Sequence, residues 1–227
     1  MGCEASSSSM AMTPMSGSIK VKYFPAHGRA SGLRMMLMTA GMPVENIDVQ
    51  MHDWPSMKMS PDAGEFGYLP IVVAPNGKIY QGTNNVMRGF GMKLGLYNLK
   101  SPMEMYKADS AADAFIDFFD AVAKCMKDPT DEGKKKGVET LLTTVAPNTF
   151  KFIERRLASH KFISADKLCY ADYSMASLYC DMVLNVNFPF APTLQKMVDA
   201  HPRTKAYFIT MQQHVKGWLD KRPIRPM

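Results

Sequence analysis

Residues 20–42 read "KVKYFPAHGRASGLRMMLMTAGM", and the fold turns on how this stretch is divided. Apolar residues alternate through "SIKVKYF" (18–24), the period of a strand. In "GRASGLRMMLMTAG" (28–41), Leu33, Met36, Leu37 and Ala40 recur at helical spacing, and Gly41 suits a helix C-cap. Tyr23 therefore closes a strand, and Gly28-Arg29 opens a helix. A tyrosine so placed is either a half-buried strand residue or a hydroxyl aimed at a ligand.

The pattern continues outward. "PVENIDVQM" (43–51) reads as a second strand, and "LPIVVAPNGKIY" (69–80) as two short strands around the Asn76-Gly77 hairpin signal. "TNNVMRGFGMKLGL" (83–96) reads as a further helix. The order β-α-β, an irregular stretch, then β-β-α is that of a thioredoxin-like α/β unit. Beyond Pro102 the strand pattern ends, and helices are expected near 102–127, 131–158, 171–186, 192–200 and 203–219. The expected organisation is a Ser-rich disordered leader at 1–17, an α/β domain at 18–97 and an all-α domain at 102–223, with "YNLKSP" (97–102) as the linker.

The chain has 227 residues and net charge +6, with one lysine run, "GKKKG" (133–137). No basic stripe is interleaved with aromatics, so nucleic-acid binding is not expected. No run of 18 apolar residues occurs, so no membrane-spanning helix is expected. The four cysteines (Cys3, Cys125, Cys169, Cys180) form neither a C-x-x-C pair nor a His/Cys cluster. A redox dithiol or a metal site is therefore not expected, and the pattern fits the reducing cytoplasm. The 21 methionines suit irregular core packing.

The leader "MGCEASSSSMAMTPMSGS" (1–18) lacks the apolar core of a secretory signal. It does carry Met-Gly followed by Ser6, the N-myristoylation pattern with Gly2 as acceptor, and Cys3 stands beside it for palmitoylation. Two chains would anchor a protein stably where one holds it marginally. Peripheral attachment to the cytoplasmic face of a membrane is one expectation from this leader.

The motifs "YFPAHGRASGLR", "DWPSMK", "FGYLPIV", "MRGFGMKLGLY" and "YADYSMA", in this order and spacing, resemble the cytosolic glutathione transferases, nearest the tyrosine-using sigma, pi and mu classes. The resemblance runs from about Ile19 to Pro223. It implies the two-domain fold just described, a homodimer, and glutathione as co-substrate without a metal. The thiolate would be used against an apolar electrophile, with peroxide reduction or isomerisation as variants. It implies that the Tyr23 hydroxyl donates to the glutathione sulfur, that Trp54 and Lys58 hold the glycyl carboxylate, and that Arg29 adds charge nearby or supports the helix start. It also implies a cis peptide before Pro70, which turns the Leu69 backbone toward the cysteinyl unit, with Tyr68 contributing through its backbone. A catalytically weak binding or structural protein on the same fold is the alternative reading.

Where the family has Gln-Ser, this chain has Gly82-Thr83. Thr83 replaces the serine, whereas Gly82 has no side chain and Gln81 lies one place away. The resemblance assigns Asp113 to the γ-glutamyl amine across a dimer, and leaves Asp109 and Asp120 as a solvated stripe. Cys169 stands at the N-cap of a capping box completed by Asp172, where a thiol should cap less well than a hydroxyl, by about 1 kcal/mol. Tyr106, Phe115 and Trp218 are the candidates for the electrophile pocket.

Overall fold

The computed structural model describes residues 17–226. The acylation pattern at Gly2 and Cys3 lies outside them. A four-stranded sheet has the order β2-β1-β3-β4, formed by β1 (Ile19–Tyr23), β2 (Val44–Asp48), β3 (Ile71–Val73) and β4 (Ile79–Gln81). β1 runs parallel to β2 and antiparallel to β3. The β1–β2 crossover is α1 (Ser31–Thr39), as parallel pairing requires. Strand alternation puts Ile19, Val21 and Tyr23 on one buried side. α1 packs its Leu33, Met35, Met36 and Leu37 into the same core. The short α2 (Trp54–Lys58) and the longer α3 (Thr83–Lys93) complete this part.

The remainder is helical: α4 (Pro102–Lys127), α5 (Asp131–Thr140), α6 (Ala146–Arg156), α7 (Tyr170–Leu178), α8 (Ala191–Asp199), α9 (Pro202–His214) and α10 (Lys216–Leu219). Side-chain caps open two of them: Ser101 accepts from Glu104 N–H at 3.3 Å and Thr130 from Gly133 N–H at 3.0 Å. A single helix was expected over 131–158. It is instead α5 and α6 joined by a π-helical turn at Leu141–Val145. A second π turn, Tyr179–Val183, extends α7.

α7 is buried along its whole length and packs on both α1 and α4. Its cap depends on Asp172, whose carboxylate accepts from Cys169 N–H (2.8 Å), Ile163 N–H (3.0 Å) and the Tyr207 hydroxyl (2.6 Å).

Asp109 is not a solvated acid. It accepts from Arg88 Nε (3.0 Å), the Tyr97 hydroxyl (2.9 Å) and the Tyr170 hydroxyl (2.6 Å), tying α3, the linker, α4 and α7 together. The acidic face of α4 is turned toward partners from other elements, which a one-helix view leaves out.

Candidate active site

Tyr23 ends β1 with its ring buried. Its hydroxyl accepts the backbone N–H of Arg29 at 3.2 Å, which leaves the phenolic proton free to be donated. The approach needs a glycine before Arg29. Gly28 has φ +47°, and a Cβ there would lie 2.6 Å from the Tyr23 oxygen. Burial raises the phenol's pKa, against the Arg29 N–H and the charges of Arg29 and Arg34. The phenol therefore stays protonated at neutral pH and remains a donor.

Arg29, whose N–H holds Tyr23, lines a cavity of about 300 Å³ with Tyr68, Leu69, Gly82, Thr83, Asn84, Asn85 and Ile116, a lining that does not include Tyr23, Trp54, Lys58 or Asp113. Five expected site residues thus meet on one surface. The Leu69–Pro70 peptide is cis. Gly82, with φ +87°, caps α3, and no side chain closes the first turn. The N–H groups at that end, with the Thr83 hydroxyl, form a place for a carboxylate. A larger open cavity of about 530 Å³ lies on the outer face of β4 and α3, and its lining excludes Tyr23 and Arg29.

Gln81 does not stand in for the side chain lacking at Gly82. It is buried, takes Phe66 N–H at 2.8 Å, and donates to the carbonyls of Ala63 and Tyr68. It braces the 63–68 loop behind the cavity. At Gly82 itself the positive φ would strain a glutamine.

Asp113, expected to face a partner subunit, accepts from Asn84 of its own chain at 2.7 Å, at the cavity rim. Asp120 is also engaged: it pairs with the Arg29 guanidinium, which lies 5.5 Å from the Phe119 ring centroid. Arg29 is thereby held between the cavity and α4. Trp54 is half-buried and meets Phe24 edge-on at 6.2 Å, while Lys58 is exposed, with its stem passing Gly67.

The three electrophile-pocket candidates are not brought together. Phe115 is in the core against Phe119. Tyr106 is exposed, with Arg156 5.8 Å from its ring. Trp218 is buried beside His27, Arg34 and Arg225. Ile116 and Phe119, one and four residues past Phe115, are apolar α4 side chains that lie against the cavity and Arg29, respectively. The helical period alone gives that face only once the orientation of α4 is known.

His27, just before Gly28, is 4% exposed. Burial, then the charges of Arg222, Arg34 and Arg225, push its pKa from 6.5 down to about 3. Above pH 6.5 both folded and unfolded states are neutral here, and the group contributes nothing. Below it the unfolded chain takes up the proton first. This residue should therefore cost about 1.4 kcal/mol of stability per pH unit down to about pH 3. Urea unfolding at pH 7, 6 and 5 should show a shallower acid loss in His27→Gln than in the parent; parallel curves would discard the assignment.

A β1–α1 tyrosine held by a backbone N–H, a cis-proline loop and an open helix N-terminus sit on a two-part fold, a thioredoxin-like sheet unit followed by a helical unit. The family model "Glutathione S-transferase, C-terminal domain" matches residues 116–222. Glutathione S-transferase P 1 of Xenopus laevis is 28% identical over 220 residues, covering 90% of this chain and 95% of that protein. Hematopoietic prostaglandin D synthase of Gallus gallus is 26% identical, covering 90% and 96%. The solved prostaglandin synthase D of Nilaparvata lugens superposes with TM-score 0.77 at 23% identity, over 92% of this chain and 100% of that one. Over most of its length the chain is thus similar to cytosolic glutathione transferases, and its helical part matches their C-terminal domain model.

Proposed function

We propose that this chain is a glutathione transferase that uses Tyr23 to hold glutathione as a thiolate for attack on apolar electrophiles. The reading rests chiefly on one observation, the Tyr23 hydroxyl that accepts the Arg29 N–H and keeps its own proton to donate. A donor aimed at sulfur favours the charged form and lowers the thiol pKa. The thiol proton leaves to solvent and the sulfur lone pair forms the new C–S bond; in a substitution the leaving group departs with the electron pair of the bond that breaks, and in an addition the displaced pair takes up a proton from solvent. This is preorganised electrostatic stabilisation, with no covalent enzyme intermediate.

In this reading Trp54 and Lys58 take the glycyl carboxylate, and the Leu69 backbone takes the cysteinyl unit. Thr83 and the α3 N-terminus take the γ-glutamyl carboxylate, and Asp113 takes the amine. Arg29 serves as a charged wall. The likeness to prostaglandin D synthases makes isomerisation a variant beside conjugation and peroxide reduction. A homodimer is supported by the outward Phe66 and Tyr68, exposed and stacked at 5.5 Å. We place the protein in the cytoplasm, with Gly2 and Cys3 as the means of any membrane attachment.

A second reading, a catalytically weak binding protein, is favoured by one observation: Gln81 is committed to the 63–68 loop and the γ-glutamyl clamp lacks its side chain. Calorimetric titration with glutathione, followed by the ultraviolet absorbance of bound thiolate across pH, separates the two. The enzyme predicts binding and a thiol pKa at least about one unit below the free value near 8.5. Absent binding, or an unshifted thiol, selects the second reading.

A further inference from the structure

The β1–α1 loop carries the Arg29 N–H that fixes the Tyr23 hydroxyl, and two structures hold that loop from behind. One is Arg34, 2% exposed, which donates through Nη1 to the carbonyls of Ala26 (3.0 Å) and His27 (3.5 Å) and through Nε to Asn46 (2.7 Å). Its guanidinium lies 5.9 Å from the Tyr23 ring centroid. The other is the end of the chain: the Pro226 carbonyl accepts the His27 N–H at 2.9 Å.

The chain end is itself tied at two points. Arg222 pairs with the buried Asp181 in the π turn after α7, and its Nη2 reaches the Cys180 carbonyl at 3.4 Å. Arg225 makes a two-pronged pair with Asp48, the last residue of β2 and the register partner of Tyr23. A bidentate guanidinium–carboxylate pair fixes direction as well as distance. The strap at 222–226 therefore runs from the helical part of the molecule to the strand beside Tyr23 and ends on the loop.

We propose that this strap is a positioning element for the reaction: through the Pro226–His27 bond and the Arg225–Asp48 pair it holds the 26–29 loop so that the Arg29 N–H orients the Tyr23 hydroxyl toward the glutathione sulfur. It touches neither sulfur nor electrophile and acts through Tyr23. The proposal rests on the Tyr23 reading above. The charged and titratable groups facing the loop are Arg29 and Arg34 from its own segment and α1, Asp120 from α4, Asp48 from β2, Asp181 from the π turn, and Arg222 and Arg225 from the strap.

The test uses full-length protein, a truncation removing residues 223–227, and Arg225→Lys, which keeps the charge but not the fork. We expect the truncation to lower kcat roughly tenfold and raise the bound-thiol pKa by about one unit. Glutathione affinity should stay within about twofold, and Arg225→Lys should fall between. Amide exchange in the free protein should lose protection at 26–29. Unchanged kcat and thiol pKa in the truncation, or losses that track thermal stability with an unshifted thiol pKa, would overturn the proposal. If the truncation does not fold, Arg225→Lys with full kcat and full loop protection overturns it. If the parent itself binds no glutathione, the enzyme reading fails, while the exchange pattern at 26–29 still decides whether the strap holds the loop.

Discussion

Replacing Tyr23 by phenylalanine is expected to lower kcat for a generic aromatic electrophile by roughly 10²- to 10³-fold, the usual cost of removing one aimed donor. Glutathione affinity should change less than about threefold, because most of the tripeptide's polar groups bind elsewhere. The ring would remain packed beside Phe24 and under Arg34, so the fold should hold. The absorbance of bound thiolate should titrate near the value of free glutathione. The two hydroxyls of α1 are badly placed to compensate. Ser31 is fully buried, facing Asp181, and Thr39 closes the opposite end of α1. Equal kcat in parent and variant, at equal glutathione occupancy, would move the activating role away from Tyr23.

Local pattern carried much of this site. Period-two and period-3.6 apolar spacing marks β1 and α1, and Asn76-Gly77 marks the hairpin between β3 and β4. Those elements bring Arg29, Leu69 and Thr83 to one cavity, with Tyr23 held by the Arg29 N–H. What the sequence hid is long-range. Arg29 and Asp120 are 91 residues apart, and Arg225 and Asp48 are 177 apart. Neither pair leaves a periodic trace, because the partner is set by how α4 and the chain end cross the sheet. Asp109 and Asp120 look solvated on an isolated helix and become hydrogen-bonded once α3, α7 and the β1–α1 loop are packed against it.

Other departures have similar causes. The two π turns insert residues into helices whose apolar spacing still reads as helical. β2 is shorter than "PVENIDVQM" suggests, since only Val44–Asp48 pair with β1 and the chain then turns toward α2. Gln81 was one position from a ligand role in the sequence. In the fold its side chain points into the 63–68 loop, a direction that strand alternation and a positive-φ Gly82 together impose.

The largest effect on stability should come from Asp172→Ala. The carboxylate is fully buried and is the common acceptor for Cys169 N–H, Ile163 N–H and the Tyr207 hydroxyl. Truncation strands all three donors, and a buried donor left unpaired costs about 1–3 kcal/mol. It also removes the reciprocal arm of the capping box from a helix that packs on both α1 and α4. The Cys169 thiol, a weak acceptor with its pKa raised by burial, cannot replace that arm. A loss on the order of 3–5 kcal/mol follows, or roughly 10 °C in Tm for a chain of this length. Asp172→Asn keeps one acceptor oxygen and should lose less. Because the residue lies in the α7 cap rather than at the cavity, kcat per folded molecule at low temperature should match the parent. Denaturant unfolding and thermal melts of both variants measure this directly. A loss below about 1 kcal/mol in Asp172→Ala would mean that water or Cys169 satisfies the stranded donors, and that the cap is not what holds α7 against α1.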